Sequence, residues 1–334
     1  MNEHVQLATY TIPLTAHQLR FTVCAETDIH FSAFKGSALR GALAGVLQRQ
    51  YCPEWRNERT DSLHRQLCPV CQLLSWEQED IEGGDLRRPY VLVPPLDART
   101  TYTAGEQFSF GLTLFGARQQ LLPYLILGIT AMGNGGVGQP DRAGKRGRFT
   151  LVGLEAVNPL TGSARALLNQ GSMVRLDTLP VTHADVETMA ARMAERLNAS
   201  QGELRFNFHT PLRLNQAHQL VQTPAFFPLM KQIVLRVLDI CVQHGDGRPA
   251  ITLAKEIYPY ADQVRLVVDR TQWWDLTGYS HRLGREQRLG GLVGEAIFAA
   301  PDWTPLLPWL IWGQITQVGK NTVKGCGLYT LTMG

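Results

Sequence analysis

Four side chains have the most suggestive spacing in the chain: Cys52, His64, Cys68 and Cys71 read C-x11-H-x3-C-x2-C. The C-x2-C step gives two thiolates the bite of a tetrahedral zinc site, and a nearby imidazole could help complete the set. Plain thiols of a cytosolic chain are the competing reading. Residues 51–88 around them are polar and charged, read as an insertion or long loop, and have little core of their own, so a metal ion could fold them. Two histidines are placed for proton exchange near neutral pH. His30 lies in the turn between the first expected strand and the first helix, just before Lys35 and Arg40; His281 lies in a basic hairpin. A lone histidine is more often structural or solvated, and the other histidines have no supporting neighbours outside the Cys/His set.

Positive charge is clustered. Arg142, Lys145, Arg146 and Arg148 follow one another without an acid between them. His281, Arg282, Arg285 and Arg288 sit between two expected strands, and Lys320 and Lys324 flank a second glycine-rich segment. A solvated loop explains any one cluster, but three of them on sheet edges suit a phosphate backbone. Two familiar phosphate motifs fail. Gly133, Gly135 and Gly138 match GxGxxG but follow a helix, where the dinucleotide fingerprint needs a strand. Lys145 precedes Arg146, and Lys320 precedes Asn321, so neither is a Walker lysine followed by Ser or Thr. A nucleotide-binding metabolic enzyme is thereby disfavoured. What remains is backbone free to approach a ligand, with a lysine in reach.

The elements that must position these residues occur twice. LLPYLILG (Leu121–Gly128) and LLPWLIWG (Leu306–Gly313) differ only at Tyr124/Trp309 and Leu127/Trp312. Each runs through a glycine-rich, lysine-bearing segment into a short strand, GRFTL (Gly147–Leu151) or GLYTL (Gly327–Leu331). This is the pattern of a duplicated domain. In the first half, alternation and helical spacing predict strands at 18–24, 90–93, 107–114 and 148–157 and helices at 37–50, with Ser37 as N-cap, and 118–132. The second half predicts strands at 203–208, 263–274, 291–298 and 327–331, with helices at 224–244 and over the second apolar repeat. Both orders are β-α-β-β-α-β, the ferredoxin-like order. The expected fold class is α+β with two tandem ferredoxin-like domains built on antiparallel sheets. The expected boundaries are 1–160 with the cysteine-bearing insertion, then a linker and helix at 161–200, then 201–334.

Composition agrees. At 334 residues two ordinary domains are expected, and 44% hydrophobic content is enough for two cores. A net charge of +3 announces no nucleic-acid partner by itself, which leaves the clustering as the signal. MNEHVQLATY has neither a basic start nor an apolar run, so no secretory leader is expected. The apolar repeats are too short to span a bilayer, and the protein is expected to be cytoplasmic with no membrane partner.

Several segments together carry a resemblance: FKGSALRGAL (Phe34–Leu43), CPVCQLL (Cys68–Leu74), RPYVLVPP (Arg88–Pro95), GYSHRLGREQRLGGLVGE (Gly278–Glu295) and QVGKNTVKGCGLYTL (Gln317–Leu331). The chain resembles the CRISPR-associated endoribonucleases that mature guide RNA, the Cas6 family of RAMP proteins. The resemblance implies binding of CRISPR repeat RNA and one cut per repeat, with no catalytic cofactor. The ribose 2′-hydroxyl would attack the adjacent phosphate, leaving a 2′,3′-cyclic phosphate and a 5′-hydroxyl. It further implies that His30 serves as general acid or base with Lys35 or Arg40 stabilising charge, and that His281 competes for the proton-transfer role. RNA would lie against Lys145, Arg146, Arg282, Arg285, Arg288, Gly319, Lys320, Gly325 and Gly327. Relatives often carry histidine before the VGK segment, where this chain has Gln317. The second reading is therefore a catalytically inactive RNA-binding subunit of a CRISPR effector complex.

Overall fold

The computed structural model describes residues 10–57, 60–74, 86–169, 172–173, 175–199, 202–216, 219–280 and 285–333. The chain divides into two compact units. The first module comprises Ala16–Val181 with the short segment Thr322–Gly325; the second holds the remaining residues.

In the first module, β1 (Ala16–Ala25) alternates, burying Leu19, Phe21, Val23 and Ala25 on one face. The elements α1 (Gly36–Tyr51), β2 (Tyr90–Val93), β3 (Gln107–Phe115), α2 (Leu122–Gly135) and β4 (Phe149–Asn158) follow. Four strands of its six-stranded sheet run in the order β2-β3-β1-β4, two more, Ser163–Asn169 and Ser172–Met173, follow beyond β4, and every pairing is antiparallel. Phe21 pairs with Phe110 across β1 and β3, and their rings stack at 5.5 Å. The stripe Leu39, Leu43, Val46 and Leu47 turns α1 onto this face. A Cβ on Gly128 would come within 2.7 Å of Leu47, so glycine lets α2 approach α1 closely.

The second module begins with α3 (His183–Ala199) and continues through β6 (Glu203–Leu212), α4 (Phe226–His244), β7 (Arg265–Trp274), β8 (Gly291–Ala299), α5 (Leu307–Thr316) and β9 (Tyr329–Met333). Its sheet order, β7-β8-β6-β9, is the first module's order repeated, again antiparallel. Gly313, at the end of the second apolar repeat, plays the part of Gly128: a Cβ there would lie 3.0 Å from Ile233 of α4 and 2.2 Å from the Tyr329 hydroxyl. That hydroxyl donates to Leu310 O at 2.7 Å, which satisfies a buried phenol whose ionisation burial opposes. The fold is the expected pair of ferredoxin-like α+β modules.

Three local expectations are corrected. The start of the stretch expected as linker at 161–200 instead follows a turn at Asn158, whose Oδ1 accepts from Leu160 N, and returns as β5 (Ser163–Asn169) against β4. Ser37 does not cap α1. The helix begins one residue earlier, behind Lys35, and at Gly36 a Cβ would fall 1.9 Å from Lys324 O, so only glycine fits there. Within 51–88, two short helices form, Ser62–Leu67 and Pro69–Leu74; residues 75–85 lie outside the described residues. Among the described residues, no helix is long and apolar enough to cross a membrane.

Candidate nucleic-acid interface and metal centre

In each module, the loop after the repeated helix closes onto the chain that has just left the module's first strand. In the first module that chain is Asp28–His30. A Cβ on Gly147 would lie 2.3 Å from Asp28 O, and one on Gly138 2.3 Å from His30 O. Gln139 N donates to His30 O at 2.6 Å, and Val137 N to Gly147 O at 2.8 Å. The glycines therefore face the protein's own backbone. His30 is paired with Thr101 in a short two-strand bridge, its side chain is exposed, and its Nδ1 lies 3.1 Å from the Thr101 hydroxyl. That contact orients the ring through Nδ1.

The loop tip is open. Asp141 Oδ1 accepts from Ala143 N and Lys145 N, both at 2.8 Å, and Gly144 takes φ +78°. This closure leaves Arg142, Lys145, Arg146 and Arg148 exposed. Arg146 donates to Gly138 O, next to the point where the loop meets His30, and Arg148 pairs with Glu26 at 3.7 Å. The structure thus brings Arg146 close to the His30 backbone, with Lys145 at the tip of the same loop.

Lys35 is placed differently. It is 3% exposed, and its Nζ donates to Asp97 O at 2.6 Å, with the Asp97 carboxylate at 3.7 Å. Burial draws its pKa below the usual lysine range, opposed by Asp97. Its charge anchors the 95–97 loop and is not offered to a ligand. Arg40 is half-buried, with a buried Nε that has no hydrogen-bond partner among the described residues. Gly325 is buried against Pro94, where a Cβ would come within 2.5 Å of Cδ.

In the second module the equivalent chain is Arg213, just past β6. A Cβ on Gly319 would lie 2.6 Å from Arg213 O, and Lys320 N donates to the same oxygen at 3.2 Å. Gly327 is buried at φ +76°, with Val318 O only 1.7 Å from where a Cβ would be. Here the loop is closed on itself and Lys320 is its exposed cation. Gln287 of the hairpin Thr277–Ser280/Arg285–Arg288 donates to Asn321 Oδ1 at 3.0 Å, which joins the basic hairpin to this loop. Arg288 is exposed, and Arg285 opens the second hairpin strand opposite Ser280. His281 and Arg282 lie outside the described residues. Sequence reasoning missed Arg213, whose guanidinium donates to Gly290 O at 2.9 Å and lies 5.8 Å from the Trp273 ring centroid. No run of basic residues surrounds it, and nothing nearby in the sequence marks it. Thr101 was missed for the same reason.

The four cysteine and histidine residues come together. Cys52 caps the C-terminus of α1, His64 sits in Ser62–Leu67, Cys68 follows that helix and Cys71 lies in Pro69–Leu74. Their ligand atoms all lie within 4.8 Å of one another, so the set can coordinate a metal ion. Cys52 Sγ is 3.8 Å from Cys71 Sγ and 3.4 Å from His64 Nε2.

Residues 206–329 match the family model described as CRISPR-associated endoribonuclease Cas6, and residues 14–179 match a model described as an N-terminal domain. No curated protein matches the chain. Among solved structures, a partial Cas6-RT-Cas1–Cas2 complex superposes with TM-score 0.60 at 12% identity over 96% of this chain and 46% of the other. Cas6 from Thermus thermophilus gives 0.55 at 12% over 97% and 100%, and a Cas6 product complex 0.53 at 14% over 95% and 99%. The chain spans less than half the length of the chains it matches in the Cas6-RT-Cas1–Cas2 complexes. At these identities the structural likeness establishes the fold. The family match to Cas6 is confined to residues 206–329.

Proposed function

We propose that the protein is an endoribonuclease that binds CRISPR repeat RNA and cuts it once per repeat. The observation that carries this reading is the first module's clamp, which sets an exposed histidine, oriented through Nδ1, beside an open loop of arginines and lysine. A ribonuclease working through the ribose needs such a pairing. The 2′-oxygen bonds to phosphorus as its proton leaves, the bond to the 5′-oxygen breaks, and that oxygen takes up a proton. The products are a 2′,3′-cyclic phosphate and a 5′-hydroxyl. His30 transfers one of these protons. Arg146, Lys145 and Arg40 are the cations for the crowded phosphate, since Lys35 is engaged inside. The second module contributes affinity through Lys320, Arg288, Arg285 and Arg213, with Trp273 offering a face for a base.

The test is labelled repeat RNA with the purified chain, in buffer free of added divalent cations. One specific cut with a cyclic phosphate end, lost in His30→Ala while binding persists, is the expected result. Tight binding with no product from the wild-type chain would replace this reading with the second one, an RNA-binding subunit of a CRISPR effector complex. The buried Lys35 favours that alternative, because it removes one of the cations expected at the cut.

A further inference from the structure

The first module's insertion has no role in the reading above, yet its geometry is the most exacting in the chain. We infer that Cys52, His64, Cys68 and Cys71 bind one Zn2+ as a closed structural site, with His64 ligating through Nε2 and Glu54 holding its ring from behind. This inference stands apart from any RNA chemistry.

Four observations carry it. First, zinc–sulfur bonds of about 2.3 Å at tetrahedral angles place two sulfurs about 3.8 Å apart, and a sulfur and an imidazole nitrogen about 3.5 Å apart. The Cys52–Cys71 and Cys52–His64 separations are 3.8 Å and 3.4 Å. A multi-iron cluster would need its four ligands spread more widely. Second, the ring has the orientation a ligand needs. Nε2 faces Cys52, while Nδ1 lies 3.6 Å from Glu54 Oε1, the carboxylate–histidine arrangement that fixes the tautomer of metal-bound imidazole.

Third, among the described residues hydrophobic packing does not hold the histidine's helix. Ser62–Leu67 buries none of its residues and leaves Leu63 and Leu67 61% and 68% exposed. A six-residue helix is too short to persist alone. Asp61 caps it, accepting from Leu63 N at 2.9 Å and His64 N at 3.1 Å, but one cap does not fix a helix against a domain. A metal bond through His64, with Cys68 as the next ligand, does. Fourth, protein groups fill all four positions and the three cysteines are buried, so no position is open for a substrate or water. The ion's work is to staple the end of α1 to the insertion.

Metal analysis of the purified full-length chain tests this, with no RNA present. One zinc per chain is expected, falling to background in Cys71→Ser. Should that variant fail to fold, Co2+ added to the reduced, metal-stripped wild-type protein gives an independent reading. It should produce the intense ligand-field bands and sulfur-to-cobalt charge transfer of a tetrahedral thiolate site. Glu54→Gln should keep the metal but bind it about 10–100-fold more weakly against a chromophoric chelator. Zinc at background together with no tetrahedral Co2+ spectrum overturns the site, and iron in place of zinc overturns its identity. Unchanged affinity in Glu54→Gln removes Glu54 from it.

Discussion

The two apolar repeats are near twins in sequence but sit in different surroundings. Leu127 in α2 is 50% exposed, whereas Trp312, at the matching position of α5, is fully buried. The cause is α3. It packs on α5, and Trp312 Nε1 donates to His183 Nδ1 at 3.3 Å while Tyr10 stacks on Trp309 at 5.7 Å. The two positions where the repeats differ are thus the positions where one helix has an extra neighbour. The loops that follow diverge in the same sense. Both use glycine to close on the chain leaving the first strand, but the first ends in an open basic tip beside His30, and the second folds onto itself beside Arg213. A shared motif fixed the clamp, and its surroundings decided what each clamp presents.

Glycine substitutions can break this comparison most sharply. Gly327→Ala combines a left-handed φ with a backbone collision and should cost on the order of 4 kcal/mol, enough to unfold the second module in denaturant titration. Gly144→Ala, at φ +78° with nothing near its Cβ, should cost only about 1 kcal/mol. Equal costs would mean that the two loops are not closed and open as described. Next, Trp312→Leu installs the first repeat's residue in the second and should cost about 2–3 kcal/mol, read by thermal unfolding. Leu127→Ala should stay within about 0.5 kcal/mol.

A smaller effect concerns RNA. Lys145→Ala with Arg146→Ala should lower the slope of log affinity against log salt by roughly 1 for each phosphate these side chains neutralise. An unchanged slope would remove the open tip from the interface. The smallest effect is on acid stability. Burial lowers His17 to about 4, and its Nδ1 lies 2.6 Å from the Thr178 hydroxyl. The unfolded chain binds this proton near pH 6.5 and the folded one does not. The contribution is therefore complete above pH 6.5 and is lost as the pH falls from there towards about 4. His17→Gln should flatten that part of the pH–stability curve.

Much of this could be read from the sequence. The duplication revealed both modules because apolar period and glycine position survive divergence. The metal set was legible because ligand spacing is set by bond geometry. Lys35 misled because a lysine near a helix start is normally solvated, and nothing local announces the Asp97 and Pro95 carbonyls that hold it. Gly325 and Gly327 looked like ligand-facing backbone because sequence shows that a close approach is needed but not what approaches. Residues 163–169 looked like linker because their apolar and polar residues alternate only weakly. Arg213 was invisible because its importance comes from a strand end and Trp273, which lies far from it in sequence.

The central claim is that equivalent clamps present a proton-transfer group in one module and a binding group in the other. Cleavage rates at saturating repeat RNA, measured beside affinities for His30→Ala and Arg213→Ala, test it directly. The account predicts that His30→Ala slows cutting by about 10²–10⁴-fold with affinity kept, and that Arg213→Ala weakens binding with the saturated rate kept. A His30→Ala protein cutting at the wild-type rate, or two variants with the same defect, would contradict it.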